Sequence, residues 1–387
     1  MTIIIGAGPA GLGAALALSK PALILERNSF TGKKLLLSGS GQCNVTNAAE
    51  GDAFLARLGE FRTFLKPAFY QFSNRDLMRL LEDAGCPLIT RDDGKVFPVS
   101  RHSAEVRNTL LKLVQQKGHR IVYNCRISSV VKTNQGFELK ADMGNIYSAS
   151  RLILAAGGAA YPDTGSDGSG YAIAKSLGLK VLQPRPALAA VQIKGFELFK
   201  SCAGLSLPNA MLKLHKKAYR GDLLFTHQGF SGPLILDNSY RMNCGDRIAL
   251  VLDGSDSFES LLARQARRKL STILHSLGLA HALCDATLKH LGISDLTAAE
   301  LGSTARKRLQ EWLRHAEFEI HAVAGLQSAM SDFGGVDLQE VKASSMQSKQ
   351  FPGLYLAGET LSYCLPSGGF SIQMALATGY LAGKKSE

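Results

Sequence analysis

Short apolar runs, glycine turns and helical spacings alternate along this chain. Thr2-Ile3-Ile4-Ile5 is a continuous apolar run and predicts a buried strand. Residues 12–18 carry helical spacing, and Ala22-Leu23-Ile24-Leu25 is a second buried strand that ends in Glu26. Residues 54–64 and 73–84 predict helices, and 103–116 predicts another behind the candidate cap Ser103. Residues 121–131 and 137–139 read as strands. Residues 151–156 form a further buried strand running into Gly157-Gly158.

Near residue 185 the style changes. Short strand-like pieces at 191–193, 210–214, 223–225 and 247–252 are separated by turn residues. Helical spacing returns over 258–277 and 297–315, and 318–323 is strand-like. After Gly334-Gly335 come one more buried strand, 353–357, and a last helix over 371–381. The two ends of the chain share one style. The pattern predicts an α/β protein: a discontinuous Rossmann-like domain, 1–189 and 333–387, with an inserted strand-and-helix domain, 190–332, helical over 250–316.

The first turn carries the chemistry. Gly6-Ala7-Gly8-Pro9-Ala10-Gly11 lies between a strand and a helix, and Glu26 ends the next strand. This is the dinucleotide-binding order. Gly6 permits the tight turn, Gly8 lets backbone approach a pyrophosphate, and Gly11 lets helix and strand pack closely. The helix N-terminus offers free N–H groups to phosphate. Glu26, with Arg27 beside it, stands where a carboxylate accepts both ribose hydroxyls.

A second stretch, Gly32 to Asn47, follows at once. Lys34 and Leu35 lead into Ser38-Gly39-Ser40-Gly41, where small residues admit a flat or charged ligand, and Asn44 and Thr46 add hydrogen-bonding groups. Ala156-Gly157-Gly158 suits a chain crossing beneath a cofactor, and the backbone at Ile127 suits an adenine. Gly358-Glu359 is a natural pyrophosphate or ribityl contact. Gly369-Phe370-Ser371-Ile372 opens the last helix, whose N–H groups suit the electron-rich edge of a reduced isoalloxazine. No second βαβ unit appears, so one dinucleotide is expected.

Charge and cysteines narrow the picture. Forty-four basic and 32 acidic residues give a net charge of +12, which raises a polyanion such as RNA as a partner. The basic groups include Lys216, Lys217, Arg220, Arg264, Arg267, Arg268, Lys269, Arg306, Lys307 and Arg308, but no RNA-binding motif is present. Seven scattered cysteines without a CxxC pair predict reduced thiols in a cytoplasmic protein and no metal site. No apolar run is long enough to cross a bilayer.

Gly6–Gly11, the loop ending Cys43-Asn44-Val45-Thr46-Asn47, the Gly157–Gly170 stretch, the run Leu224-Phe225-Thr226-His227-Gln228-Gly229-Phe230-Ser231-Gly232-Pro233 and the C-terminal segment together resemble the BaiN/YhiN-like flavoproteins, also called the aminoacetone oxidase family. The resemblance spans the whole chain. It implies non-covalent FAD, an inserted β-barrel with a helical subdomain, and NADH or NADPH as a transient electron donor. It leaves a small-molecule substrate and a uridine of ribosomal RNA both open. The chain departs from the family pattern at Gln42, where an arginine is usual, and over Thr360–Ser371, where a different run precedes the last helix. The reading is an FAD-dependent oxidoreductase that reduces an activated C=C bond, with dihydrouridine formation, amine oxidation and a non-catalytic flavoprotein as rivals. Cys364 is read either as a proton donor or, the favoured reading, as a small buried packing residue, and Cys43 is expected to pack.

Overall fold

A computed structural model of the chain describes residues 1–253 and 257–387. It divides into two compact units: Met1–Ala187 with Gly325–Glu387, and Leu188–Ala324.

In the first unit, among the described residues, the central sheet has seven strands. Thr2–Ile5 pairs in parallel with Leu23–Leu25 on one side and Arg151–Leu154 on the other. Arg120–Val122 extends the first side and Leu354–Leu356 the second. Two short antiparallel strands, Val341–Lys342 and Gln347–Ser348, complete the edge. The central strands are buried on both faces, which is why they read as unbroken Ile/Leu runs. The chain leaves Thr2–Ile5 toward one edge and returns on the other, so the topological switch lies at the C-terminal ends of Thr2–Ile5 and Arg151–Leu154.

Helix Pro9–Ala17 crosses helix Phe370–Lys385 without intervening side chains. A Cβ on Gly379 would lie 1.9 Å from the Ala10 carbonyl oxygen, one on Gly383 2.2 Å from that of Ala14, and one on Gly13 2.3 Å from that of Leu376. Each glycine costs about 1 kcal/mol of helix propensity. Backbone contact between the two helices offsets it and joins the two parts of the discontinuous unit.

The second unit is a closed barrel, in the order Val191–Ile193, Gly229–Ser231, Lys217–Phe225, Ser206–Leu214, Arg247–Val251 and Ala316–Val323. Its interior is phenylalanine-rich: Phe225, Phe230 and Phe318 meet edge-to-face. Helices between the last two barrel strands complete its core.

Several boundaries differ from the sequence reading. The span 121–131 is two strands, Arg120–Val122 in the parallel sheet and Ile127–Thr133 in a separate antiparallel one, because Asn124 turns the chain with a left-handed backbone. The span 258–277 is two helices, Ser257–Arg264 and Leu270–Ser276, and His281–Leu291 is a further helix. The helical stretch 250–316 includes residues 254–256, outside the described residues. The return to the first unit comes at Gly325 rather than 333. Strand Ser331–Val336 pairs with Val181–Ala187, whose two prolines masked its strand character.

Gly379→Ala is expected to destabilise the protein by about 3 kcal/mol. Gly51, the first residue of its helix, has open space at its Cβ position, so Gly51→Ala should be neutral or slightly stabilising. Urea unfolding of the two variants compares them directly; equal effects would remove the helix crossing from its structural role.

Candidate functional site

The switch point assembles the predicted motifs. A Cβ on Gly6, whose φ is +100°, would lie 2.4 Å from the Ala155 carbonyl oxygen, so the first turn abuts the segment that runs into Ala156, Gly157 and Gly158. A Cβ on Gly11 would meet the Gly6 carbonyl oxygen at 1.9 Å, as close helix–strand packing requires. Gly8 caps the helix, Pro9 is its first residue, and open space lies in front of Gly8. Ala10 lies against Gly358, where an added Cβ would be 2.6 Å from its own.

Glu26 is buried at the end of its strand. Its carboxylate accepts from the Ala7 N–H at 2.7 Å and from the backbone and side-chain nitrogens of Asn28, both at 2.8 Å. The carboxylate is thereby fixed across the mouth of the glycine turn. Asn28 and Arg27 also hold the 164–167 loop: Asn28 donates to the Thr164 carbonyl, and Arg27 pairs with Asp167 at 2.6 Å. Ile127 begins the strand that follows Cys125, whose N–H donates to the Glu26 carbonyl.

A second group sits at the start of the last helix. Gly369, at φ +96°, has no room for a Cβ, which would lie 2.4 Å from the Thr46 carbonyl oxygen. Asn44, with its amide oriented to satisfy both ends, accepts from the Gly369 N–H at 3.1 Å. Thr46 donates to Gln373, and Gln373 donates to the Phe72 carbonyl. The Phe370 ring turns inward onto Phe54, while Ser371 and Ile372 are half-buried. Leu35 is buried, Ser38 donates to its carbonyl, and Gly41 has open space at its Cβ position. Cys364 is 5% exposed. Burial pushes the Cys43 thiol up to about 12, so it is an unreactive packing group.

Between the groups runs a polar network that sequence reasoning missed. Lys34 pairs with Glu359 at 2.7 Å, and Ser331 donates to the other Glu359 oxygen. Asp332, 2% exposed, accepts from the Ala159 and Ala160 N–H groups. A Cβ on Gly158 would lie 2.1 Å from Asp332 Oδ1, which explains that glycine. Tyr171 Oη lies 2.6 Å from Asp332 Oδ2 and 2.8 Å from the Glu359 carbonyl oxygen. Tyr171 has one hydrogen for these two contacts. With Asp332 protonated, its carboxyl donates to Tyr171 and Tyr171 donates to the Glu359 carbonyl. Burial, and then the nearby Glu359 carboxylate, raise the Asp332 carboxyl above its ordinary 3.8, in the same direction. The only sequence signal was an acid next to Phe333-Gly334-Gly335.

A dinucleotide fits this arrangement. The glycine turn, the fixed Glu26 carboxylate and the open front of Gly8 form a cradle that side chains would fill. Ser166 Oγ is buried beside Gly157 with no hydrogen-bond partner among the described residues, as a hydroxyl awaiting a polar ligand would be.

A family model described as the HI0933-like protein Rossmann domain matches residues 1–385. The chain belongs to that family. It is an FAD-dependent oxidoreductase. It is 28% identical to a ribosomal RNA dihydrouridine synthase of Haemophilus influenzae, over 98% of this chain and 96% of that protein. It is 29% identical to a 3-dehydro-bile acid delta(4,6)-reductase of Clostridium scindens, over 98% and 97%. A flavocytochrome c3 fumarate reductase shares the fold at TM-score 0.50 and 17% identity, covering all of this chain and 78% of that one.

Asp332→Asn should keep stability within about 1 kcal/mol of the parent, because an amide can replace a protonated carboxyl. Asp332→Ala removes the acceptor of two buried N–H groups and one of the two partners of Tyr171, and should cost about 2–4 kcal/mol. The proton on Asp332 stabilises the fold fully below the unfolded value and less as pH rises through the raised folded value. Asp332→Asn should remove that loss. Urea unfolding across pH checks it, and an Asn variant as damaged as the Ala variant would contradict a protonated Asp332.

Proposed function

We propose that this protein reduces a carbon–carbon double bond conjugated to a carbonyl group. One observation carries the reading: two relatives aligned over nearly the full chain are named for reductions of this one bond type. Dihydrouridine formation saturates the uracil C=C beside a carbonyl, and a delta(4,6)-reductase of a 3-dehydro substrate acts on double bonds conjugated to the 3-oxo group. Such a reduction adds hydride at the β-carbon and a proton at the α-carbon. Bound FAD supplies the hydride carrier, recharged by NADH or NADPH.

The chain's own residues do the rest. Glu26 holds the adenosine ribose, and the backbone of Gly8, Pro9, Ala10 and Gly11 receives the pyrophosphate. Ala156, Gly157, Gly358 and the Lys34–Glu359 pair line the ribityl path. The N-terminus of the last helix, from Gly369 to Ile372, stabilises negative charge on the ring system. Cys364 is the proton donor to the α-carbon.

A second reading favours a uridine of ribosomal RNA as the substrate. Lys216, Lys217, Arg220, Arg267 and Arg268 are all exposed in the Leu188–Ala324 unit, and such basic groups suit RNA phosphates.

The protein should purify with FAD that acid releases, and Glu26→Ala should weaken its binding by about 1–3 kcal/mol. Reduced anaerobically with NADPH, the flavin should return to its oxidised spectrum on mixing with a conjugated enone or a uridine-containing RNA, and not with the saturated ketone. Cys364→Ala should slow that return about a hundredfold while leaving flavin reduction intact. If neither acceptor reoxidises the flavin, the reading fails. The RNA reading further requires that charge reversal at Arg267, Arg268 and Lys269 flattens the salt dependence of RNA binding, and that ribosomal RNA from cells lacking the protein loses one dihydrouridine.

A further inference from the structure

The glycine loop before Cys43 carries an arrangement that the flavin does not explain. Gln42 Oε1 accepts from Arg91 at 3.4 Å and from Arg101 at 3.3 Å. The two arginines come from different places, one at the turn before strand Lys95–Pro98 and one just after it. Both are exposed. Neither has an ion-pair partner within 4 Å among the described residues; nearby Asp93 pairs with Lys95 and feels the Arg91 charge only at longer range, and Glu105 accepts from Ser100. Two guanidinium groups thus converge on one neutral amide oxygen. Like charges repel at that spacing, and an uncharged acceptor does not balance them.

The backbone supports the convergence. Arg101 holds a left-handed conformation at φ +55°, which costs a non-glycine residue about 1–3 kcal/mol. The Arg91 guanidinium rests 4.2 Å from the centroid of Phe97, which fixes its direction. Gly39, Ser40 and Gly41 are left-handed in succession, and nothing lies within 4 Å of a Cβ on Gly41, the residue before Gln42. Helix Ser103–Gln116 begins two residues after Arg101, with Ser103 tied to the Leu36 carbonyl of the same glycine loop.

We propose that Arg91 and Arg101 bind a phosphate group of a dissociable ligand, replacing Gln42 Oε1 as the shared acceptor. Arginine forks match phosphate oxygens in geometry and in charge. The phosphate belongs either to a nucleotide substrate or to the reductant. The proposal rests on the reductase reading only for the choice between these two.

Calorimetric titration of the FAD-loaded protein with inorganic pyrophosphate at low ionic strength tests it. Arg91→Gln and Arg101→Gln should each weaken pyrophosphate binding tenfold or more. Gln42→Glu should abolish it by placing a carboxylate between the arginines, and Gln42→Ala should preserve it. FAD content and thermal midpoint should stay constant, because all three side chains lie outside the core. Uridine 5′-monophosphate compared with uridine, and NADPH compared with NADH, identify the source: the phosphorylated member of one pair should lose its advantage in the arginine variants. Pyrophosphate that fails to bind, or binds equally to the parent and both arginine variants, would overturn the proposal. Since pyrophosphate binding requires no turnover, that failure is distinct from failure of the reductase reading.

Discussion

Backbone contact between the first and last helices is the constraint on which the first unit depends. Gly13, Gly379 and Gly383 remove the side chains that would hold Pro9–Ala17 and Phe370–Lys385 apart. The crossing seats the middle of the last helix against the first helix, and Gly358 lies against Ala10, although more than 300 residues of sequence separate them. A Rossmann turn alone makes a phosphate site. Bringing Gly358, Glu359 and Gly369 to the same edge makes a site long enough for a dinucleotide whose second half is a flavin.

The polar network at that edge solves a different problem. Carbonyl and N–H groups of the 157–160 segment would be stranded in a buried crossover. Asp332 receives two of those N–H groups, Tyr171 links it to the Glu359 carbonyl, and Lys34 with Ser331 neutralises and orients the Glu359 carboxylate. Five chain segments, at Lys34, Ala159–Ala160, Tyr171, Ser331–Asp332 and Glu359, are thereby fixed by groups that satisfy one another. Burial and the nearby Glu359 carboxylate raise the Asp332 carboxyl above its ordinary range, which eases the cost of two carboxylates sharing a buried place.

Much of this was legible from spacing. The Gly6–Gly11 turn, Glu26 and the buried strands on either side follow from local rules about tight turns, helix ends and apolar runs. The parts that were not legible depend on contacts between distant segments. Asp332 carried no distinct signal in the sequence, because its partners, Ala159, Ala160 and Tyr171, are set by tertiary packing. Strand Val181–Ala187 was hidden by Pro184 and Pro186, which an edge position tolerates. The role of the last helix's glycines depends on the opposing carbonyls of the first helix, which no local pattern shows. The loss of an arginine at Gln42 read as a lost charge, whereas folding brings Arg91 and Arg101 to the same place.

The central claim is that one edge of the first unit, from Glu26 past Gly8 to the N-terminus of the last helix, holds FAD. A crystal structure of the FAD-loaded protein tests this most directly. Adenosine density should lie against Glu26, pyrophosphate density at the Gly8–Gly11 backbone, and the isoalloxazine edge should face the Gly369–Ile372 segment. Flavin density in the Leu188–Ala324 unit, or adenosine density away from Glu26, would contradict it.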